Sequence, residues 1–161
     1  MKLAQVPTSL AVAILVVAVL GFADAAYLTI EHYQGVIPPC SVVSGCETVL
    51  TSSYSIIAGI PVSLLGALYY LVIAIGVFAY LDTRKTHILK WTLSLTIFGL
   101  LMSLWFIFVQ AFILEAWCIY CLGSATTSIV LFVLAGIVFK KYALKNRVIA
   151  ESKLETLNPK L

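Results

Sequence analysis

Apolar residues run almost unbroken through four stretches of this chain, approximately 10–30, 60–81, 91–114 and 117–139. Each is long enough to cross a hydrocarbon core about 30 Å thick. None alternates apolar and polar residues as a barrel strand would, and a lipid-exposed strand edge would leave backbone groups unpaired, so the spans are read as helices. The expected fold is an all-α integral membrane protein, a four-transmembrane-helix bundle forming a single domain over residues 1–161. Between the first two spans, residues 47–57 place Val49, Leu50, Tyr54 and Ile57 on one face and Thr48, Thr51, Ser52 and Ser55 on the other. That pattern predicts an amphipathic interfacial helix in the first outer loop, acting as a lid or as a surface anchor. Gly59 and Pro61 then read as a helix stop and a proline in the first turn of the second span.

Composition agrees with a bilayer protein. With 62% hydrophobic and 11% charged residues the chain has too little polar surface to close a water-soluble shell. Its 161 residues leave no room for a second globular domain, so a soluble partner must be a separate chain. The net charge of +3 matters less than its distribution, and no nucleic-acid signature is present. The basic residues are Lys2, then Arg84, Lys85 and Lys90, then Lys140, Lys141, Lys145, Arg147, Lys153 and Lys160; residues 31–59 and the loop around Glu115 have none. With an even number of spans these segments share one face, which the positive-inside rule makes cytoplasmic. Both termini are then inside, residues 140–161 form a basic cytoplasmic tail flanking the lipid, and the protein is multi-pass in the plasma (inner) membrane. Lys2, the apolar run to Phe22 and Ala23-Asp24-Ala25 also resemble a cleavable signal peptide. The apolar pattern continuing through Tyr27, Leu28 and Ile30 argues for a retained span, and the cysteines face outward either way.

Cys40 and Cys46 lie in the long outer loop, and Cys118 and Cys121 form Trp117-Cys118-Ile119-Tyr120-Cys121 at the start of the fourth span. Four cysteines permit three pairings, and exchange among them is expected. The C-x-x-C spacing puts Cys118 and Cys121 about one turn apart at a helix N-terminus, where free amides and the helix dipole stabilise a thiolate. Cys118 is expected nearer the aqueous face and Cys121 about 4.5 Å deeper, within reach of a lipid-soluble acceptor. The competing readings are two structural disulfides or a closed tetrathiolate metal site. Staples add little to a bundle held by the bilayer, and zinc knuckles are tighter than the Cys40/Cys46 spacing, so thiol–disulfide redox chemistry is preferred and no metal is expected. Asp24, the one carboxylate well inside a span, is read as hydrated or hydrogen-bonded, against proton handling or partner contact.

Beyond these readings the chain resembles the bacterial and archaeal branch of the vitamin K epoxide reductase family. The resemblance covers residues 27–128 and rests on Tyr27-Leu28-Thr29, Cys40 and Cys46, Ser52, residues 59–70 beginning Gly59-Ile60-Pro61-Val62-Ser63, and the final C-x-x-C. It implies a four-helix bundle around a quinone of menaquinone or ubiquinone type, with Cys121 reacting with the quinone and Ser52 close to it. It also implies that Cys40 accepts electrons from a reduced extracytoplasmic thioredoxin-fold (DsbA-like) protein and that Cys46 exchanges with Cys118. Val62 and Ala125 stand where the animal branch places a quinone-contacting Asn and Tyr, which favours a respiratory quinone over phylloquinone epoxide. The expected function is therefore a membrane thiol oxidase supporting disulfide-bond formation. The alternatives are a quinone or vitamin K epoxide reductase driven by an external thiol, or a non-enzymatic membrane subunit with structural disulfides.

Overall fold

The computed structural model describes residues 6–40 and 45–157, with side chains described as far as Lys141. Lys2, Ser41, Val42, Val43, Ser44 and Lys160 fall outside the described residues, as do the side chains of Lys145, Arg147 and Lys153. Four helices are long and apolar enough to cross a membrane, as the hydropathy pattern predicts. They are α1 (Thr8–Gln34), α3 (Val62–Thr83), α4 (Thr86–Phe108) with its π-helical continuation Val109–Ile113, and α5 (Ile119–Leu157). The last helix continues past the candidate span Ile119–Lys141, so the basic flank carries on the helical backbone instead of ending it.

Between chemically similar apolar faces, helix association in lipid depends on close packing, and small residues permit it. α1 packs against α3 and α5, and α4 packs against α3 and α5. The ring of Tyr70 on α3 lies directly on Gly21 of α1, and Thr92 of α4 lies on Gly76 of α3; a methyl group at either glycine would collide. Around these contacts Ile14, Ala18, Ile73, Val77, Leu93, Leu131 and Val138 form the buried core. Leu20, Phe78 and Phe112 are exposed, as side chains in contact with lipid tails should be. At the end of the bundle holding the start of α1 and the α3–α4 turn, Tyr80 Oη accepts the Val6 N–H at 2.9 Å and Arg84 donates to Thr8 Oγ1 at 3.1 Å.

At the other end α1 stops at Gly35, whose φ of +67° lets the Gly35 and Val36 N–H groups bond back to His32 and Glu31. The amphipathic segment that follows is not one helix. Only α2 (Cys46–Leu50) is α-helical; a 3₁₀ turn (Ser53–Ser55) and a hairpin of β1 (Ile56–Ile57) with β2 (Ile60–Pro61) complete it. Where the helix gives way to turns, the side-chain hydroxyls are taken up by nearby carbonyls: Thr51 by Glu47, Ser52 by Val49, and Ser55 by Ser52. Ile56 and Ile57 then take the extended backbone that β-branched residues favour. Gly59 is accordingly a hairpin residue, not a helix stop: Ala58 and Gly59 both have positive φ, as a two-residue turn between right-twisted strands requires. Pro61 sits in extended conformation just before α3 instead of inside its first turn.

Candidate active site

The cysteines of the outer loop and of the C-x-x-C motif converge in one cluster at the hairpin end of the bundle. Cys46, Val49 and Cys118 are buried together, with Cys40, Leu50, Leu114, Ala116, Ile119, Tyr120 and Cys121 packed around them. Cys40 and Cys46 form a disulfide with their Cα atoms 6.2 Å apart, while Cys118 and Cys121 are free thiols.

Glycine at position 45 makes the approach possible. Its backbone lies so close to the C-x-x-C loop that an added Cβ would fall 2.6 Å from Trp117 N and 2.8 Å from Trp117 O. The φ of Gly45, −111°, is open to any residue, so space and not conformation selects glycine here. From the other side, Tyr120 Oη donates to Pro39 O at 3.1 Å and its ring packs on Tyr27, tying the loop to α5 beside Cys40.

Cys118 immediately precedes α5, and its backbone is held by Gln110. The Gln110 side-chain oxygen accepts the Cys118 N–H at 2.9 Å, and the Gln110 carbonyl accepts the Ala116 N–H at 3.1 Å. Gln110 itself sits in the π-helical segment, a widened turn that turns its buried amide toward the chain reversal at 114–118. The pKa of the Cys118 thiol is lowered, first by the hydrogen bond from the Cys121 thiol and then by the N–H groups of Cys121 and Tyr120 at the helix start, against the opposing effect of burial. A sulfur so placed leaves readily as a thiolate in thiol–disulfide exchange.

One expectation about this motif is corrected. Cys118 is not at an aqueous face: its relative exposure is 0%, because Cys46 and Val49 cover it. Cys121 instead lines a cavity of about 450 Å³ among α1, α3, α4 and α5, roofed by residues 49–56. By area its wall is mostly apolar, but Glu31, His32, Gln110 and a number of serine, threonine and tyrosine residues are among those that line it.

The sequence model of the vitamin K epoxide reductase family matches residues 12–136, more than half of the chain and all of the cavity wall. The chain belongs to the vitamin K epoxide reductase family. No curated protein sequence matches it. Members of the family are membrane oxidoreductases of thiol–disulfide and quinone chemistry that typically work with thioredoxin-like partners.

Within this family frame, Ser52, Val62 and Ala125 all line the cavity that Cys121 faces. The Ser52 hydroxyl hydrogen is engaged with Val49 O at 2.8 Å, closing the turn that roofs the site. Reading the chain alone did not pick out Gln110, Tyr69 or Ser128. An amide inside the third span, and the run Ser124-Ala125-Thr126-Thr127-Ser128 inside the fourth, were the available signals, since polar groups within spans are costly and ask for a reason. Asp24 Oδ2 is buried with no hydrogen-bond partner among the described protein groups. Among the described residues no group of His, Cys, Asp or Glu is arranged to hold a metal ion.

Proposed function

We propose that this vitamin K epoxide reductase family member is a thiol oxidase. It takes electrons from a reduced extracytoplasmic thioredoxin-fold (DsbA-like) protein and delivers them to a membrane quinone of menaquinone or ubiquinone type, supporting disulfide-bond formation. The observation that carries the reading is the grading of the sulfurs: Cys40 is half-buried, Cys46 and Cys118 are buried together, and of the four only Cys121 lines the cavity.

The cavity's volume lies within the roughly 300–1,000 Å³ of small-molecule sites, and a wall that is mostly apolar by area suits a flat, largely apolar head group. A quinone, when bound, supplies an acceptor for two electrons and two protons. The chain's own residues carry the thiol–disulfide steps. A partner thiolate attacks Cys40 Sγ, breaking the Cys40–Cys46 bond and releasing Cys46 as thiolate. Cys46 then attacks Cys118 Sγ of a Cys118–Cys121 disulfide, and Cys121 leaves as thiolate facing the cavity. The partner's second thiol resolves its bond to Cys40, and Cys40 resolves the Cys46–Cys118 bond, regenerating the outer disulfide and leaving Cys118 and Cys121 reduced. A Cys40–Cys46 disulfide above free Cys118 and Cys121 thiols corresponds to the point at which electrons have moved inward.

The same reading orients the protein. Arg84, Lys85 and Lys90 lie around the turn between α3 and α4, at the opposite end of the helices from the cysteines. The positive-inside rule places that end and both termini in the cytoplasm and the cysteines outside.

The test is quinone reduction by the purified protein in detergent, with a reduced thioredoxin-fold donor or with dithiothreitol. Cys121→Ala is expected to be inactive with both donors, whereas Cys40→Ala fails with the protein donor and keeps activity with dithiothreitol. Absence of thiol-dependent reduction of any respiratory quinone by the wild type would overturn the proposal.

A further inference from the structure

Deep in the cavity, Tyr69 of α3, Gly99 of α4 and Ser128 of α5 come together. A Cβ on Gly99 would collide with Tyr69 Oη and stand 2.7 Å from Ser128 Oγ, so the missing side chain opens a notch into which both hydroxyls project. Tyr69 Oη and Ser128 Oγ are buried and without a hydrogen-bond partner, a condition shared among the described residues only by Asp24 Oδ2.

The surrounding bonds explain why Ser128 is free. A serine inside a helix ordinarily donates to the carbonyl four residues back, here that of Ser124. That carbonyl already accepts Tyr70 Oη at 2.6 Å and Thr127 Oγ1 at 2.8 Å. Tyr69 Oη and Ser128 Oγ meet at Gly99, and even a bond from one hydroxyl to the other would leave one hydrogen over. In a bundle surrounded by lipid no bulk water compensates it, so the notch calls for an acceptor.

We propose that Tyr69 and Ser128 are the donors that hold the carbonyl oxygen of the quinone farther from Cys121, fixing the ring between them and the thiol. The assignment rests on the quinone reading above. Ser128 follows Cys121 by seven residues, which places it on nearly the same face of α5 and about 10.5 Å along the axis. The ligand requires a similar span. An attack distance of about 3.3 Å, roughly 4 Å across the ring to the opposite carbonyl oxygen, and a hydrogen bond of about 2.8 Å together make about 10 Å. Tyr69 and Ser128 are therefore positioning and specificity residues: they select a ring with a carbonyl on the side away from Cys121 and hold it at one depth.

The experiment uses the full-length protein in lipid nanodiscs, without thiol donor, and titrates ubiquinone-1 and menadione as probes. Binding is followed by dissociation constant and by the infrared carbonyl bands of the bound quinone. Tyr69→Phe and Ser128→Ala are each expected to weaken binding by about tenfold and to return one carbonyl band toward its frequency in apolar solvent. Phenylalanine keeps the ring that packs on Gly99, and Ser128→Ala supports the conclusion independently if Tyr69→Phe fails to fold. Unchanged affinity and bands in both variants, with the wild type binding, overturn the subsite and leave the quinone reading intact. Failure of the wild type to bind either probe overturns the quinone reading and the subsite with it.

Discussion

The two cysteine pairs are held in different ways. Cys118 is positioned from several directions: its N–H is tied to Gln110, its carbonyl receives the Leu122 N–H at 3.0 Å, and Cys46 and Val49 cover its thiol. Cys40 and Cys46 ride on a loop whose regular structure is one short helix, a 3₁₀ turn and a hairpin of two-residue strands, docked onto the bundle at Gly45 and at the Tyr120–Pro39 bond. The proposed thiol–disulfide relay asks for this asymmetry. The inner pair must present one sulfur to a cavity at fixed distance, whereas the outer pair must meet a partner and then the inner pair, which a lightly held loop can do.

The contrast can be broken most severely at the docking point. Gly45→Val drives a branched side chain into the Trp117 backbone, lifting Cys46 from Cys118. Since misplacing a reacting group by about 1 Å can cost on the order of 100-fold, turnover with a protein donor is expected to fall by about that factor. Activity with dithiothreitol should fall much less, because that donor can reach the inner pair without Cys46. Equal loss with both donors would mean that the loop also builds the cavity. Steady-state quinone reduction with each donor reads the difference.

A milder break addresses the rigid side. Gln110→Leu leaves the buried Cys118 N–H without its side-chain acceptor, which is expected to cost about 1–3 kcal/mol of stability. Thermal unfolding in detergent should show a lower midpoint, and activity should fall with both donors, since the inner pair serves both.

The smallest effect sharpens the comparison through pH. In a Cys40→Ser/Cys46→Ser background that keeps only the inner pair, the first proton is expected to leave below the roughly 8.5 of an ordinary cysteine, read as thiolate absorbance. Below that transition Cys118 holds its proton; above it the thiolate is present. Removing the leading cause with Cys121→Ala should move the transition upward, toward the ordinary value. A transition that does not move would assign the lowering to the helix-start N–H groups instead.

Much of this protein is legible in its sequence, because lipid leaves a chain few options. Without water to satisfy backbone groups, four long apolar stretches become four helices. The family follows from an ordered set of local motifs, Cys40/Cys46, Gly59-Ile60-Pro61-Val62-Ser63 and Cys118-x-x-Cys121, which needs no knowledge of distant contacts. The single helix predicted for 47–57 is replaced beyond Leu50 by a 3₁₀ turn and a hairpin, and Thr51, Ser52 and Ser55 of its predicted polar face line the cavity beside Val49, Leu50 and Tyr54.

Only the tertiary structure decided what faces what. In residue order Cys118 comes before Cys121 and should lie nearer the surface; the fold covers it with Cys46 and leaves Cys121 to the cavity. Gln110 acts on Cys118 through a π-helical turn that no periodicity announces, and Tyr69, Gly99 and Ser128 meet from three different helices. Spans and motifs are set by interactions local in the chain, between a residue, its near neighbours and the lipid. The site is set by contacts between residues far apart in the chain, and those exist only once the helices have packed.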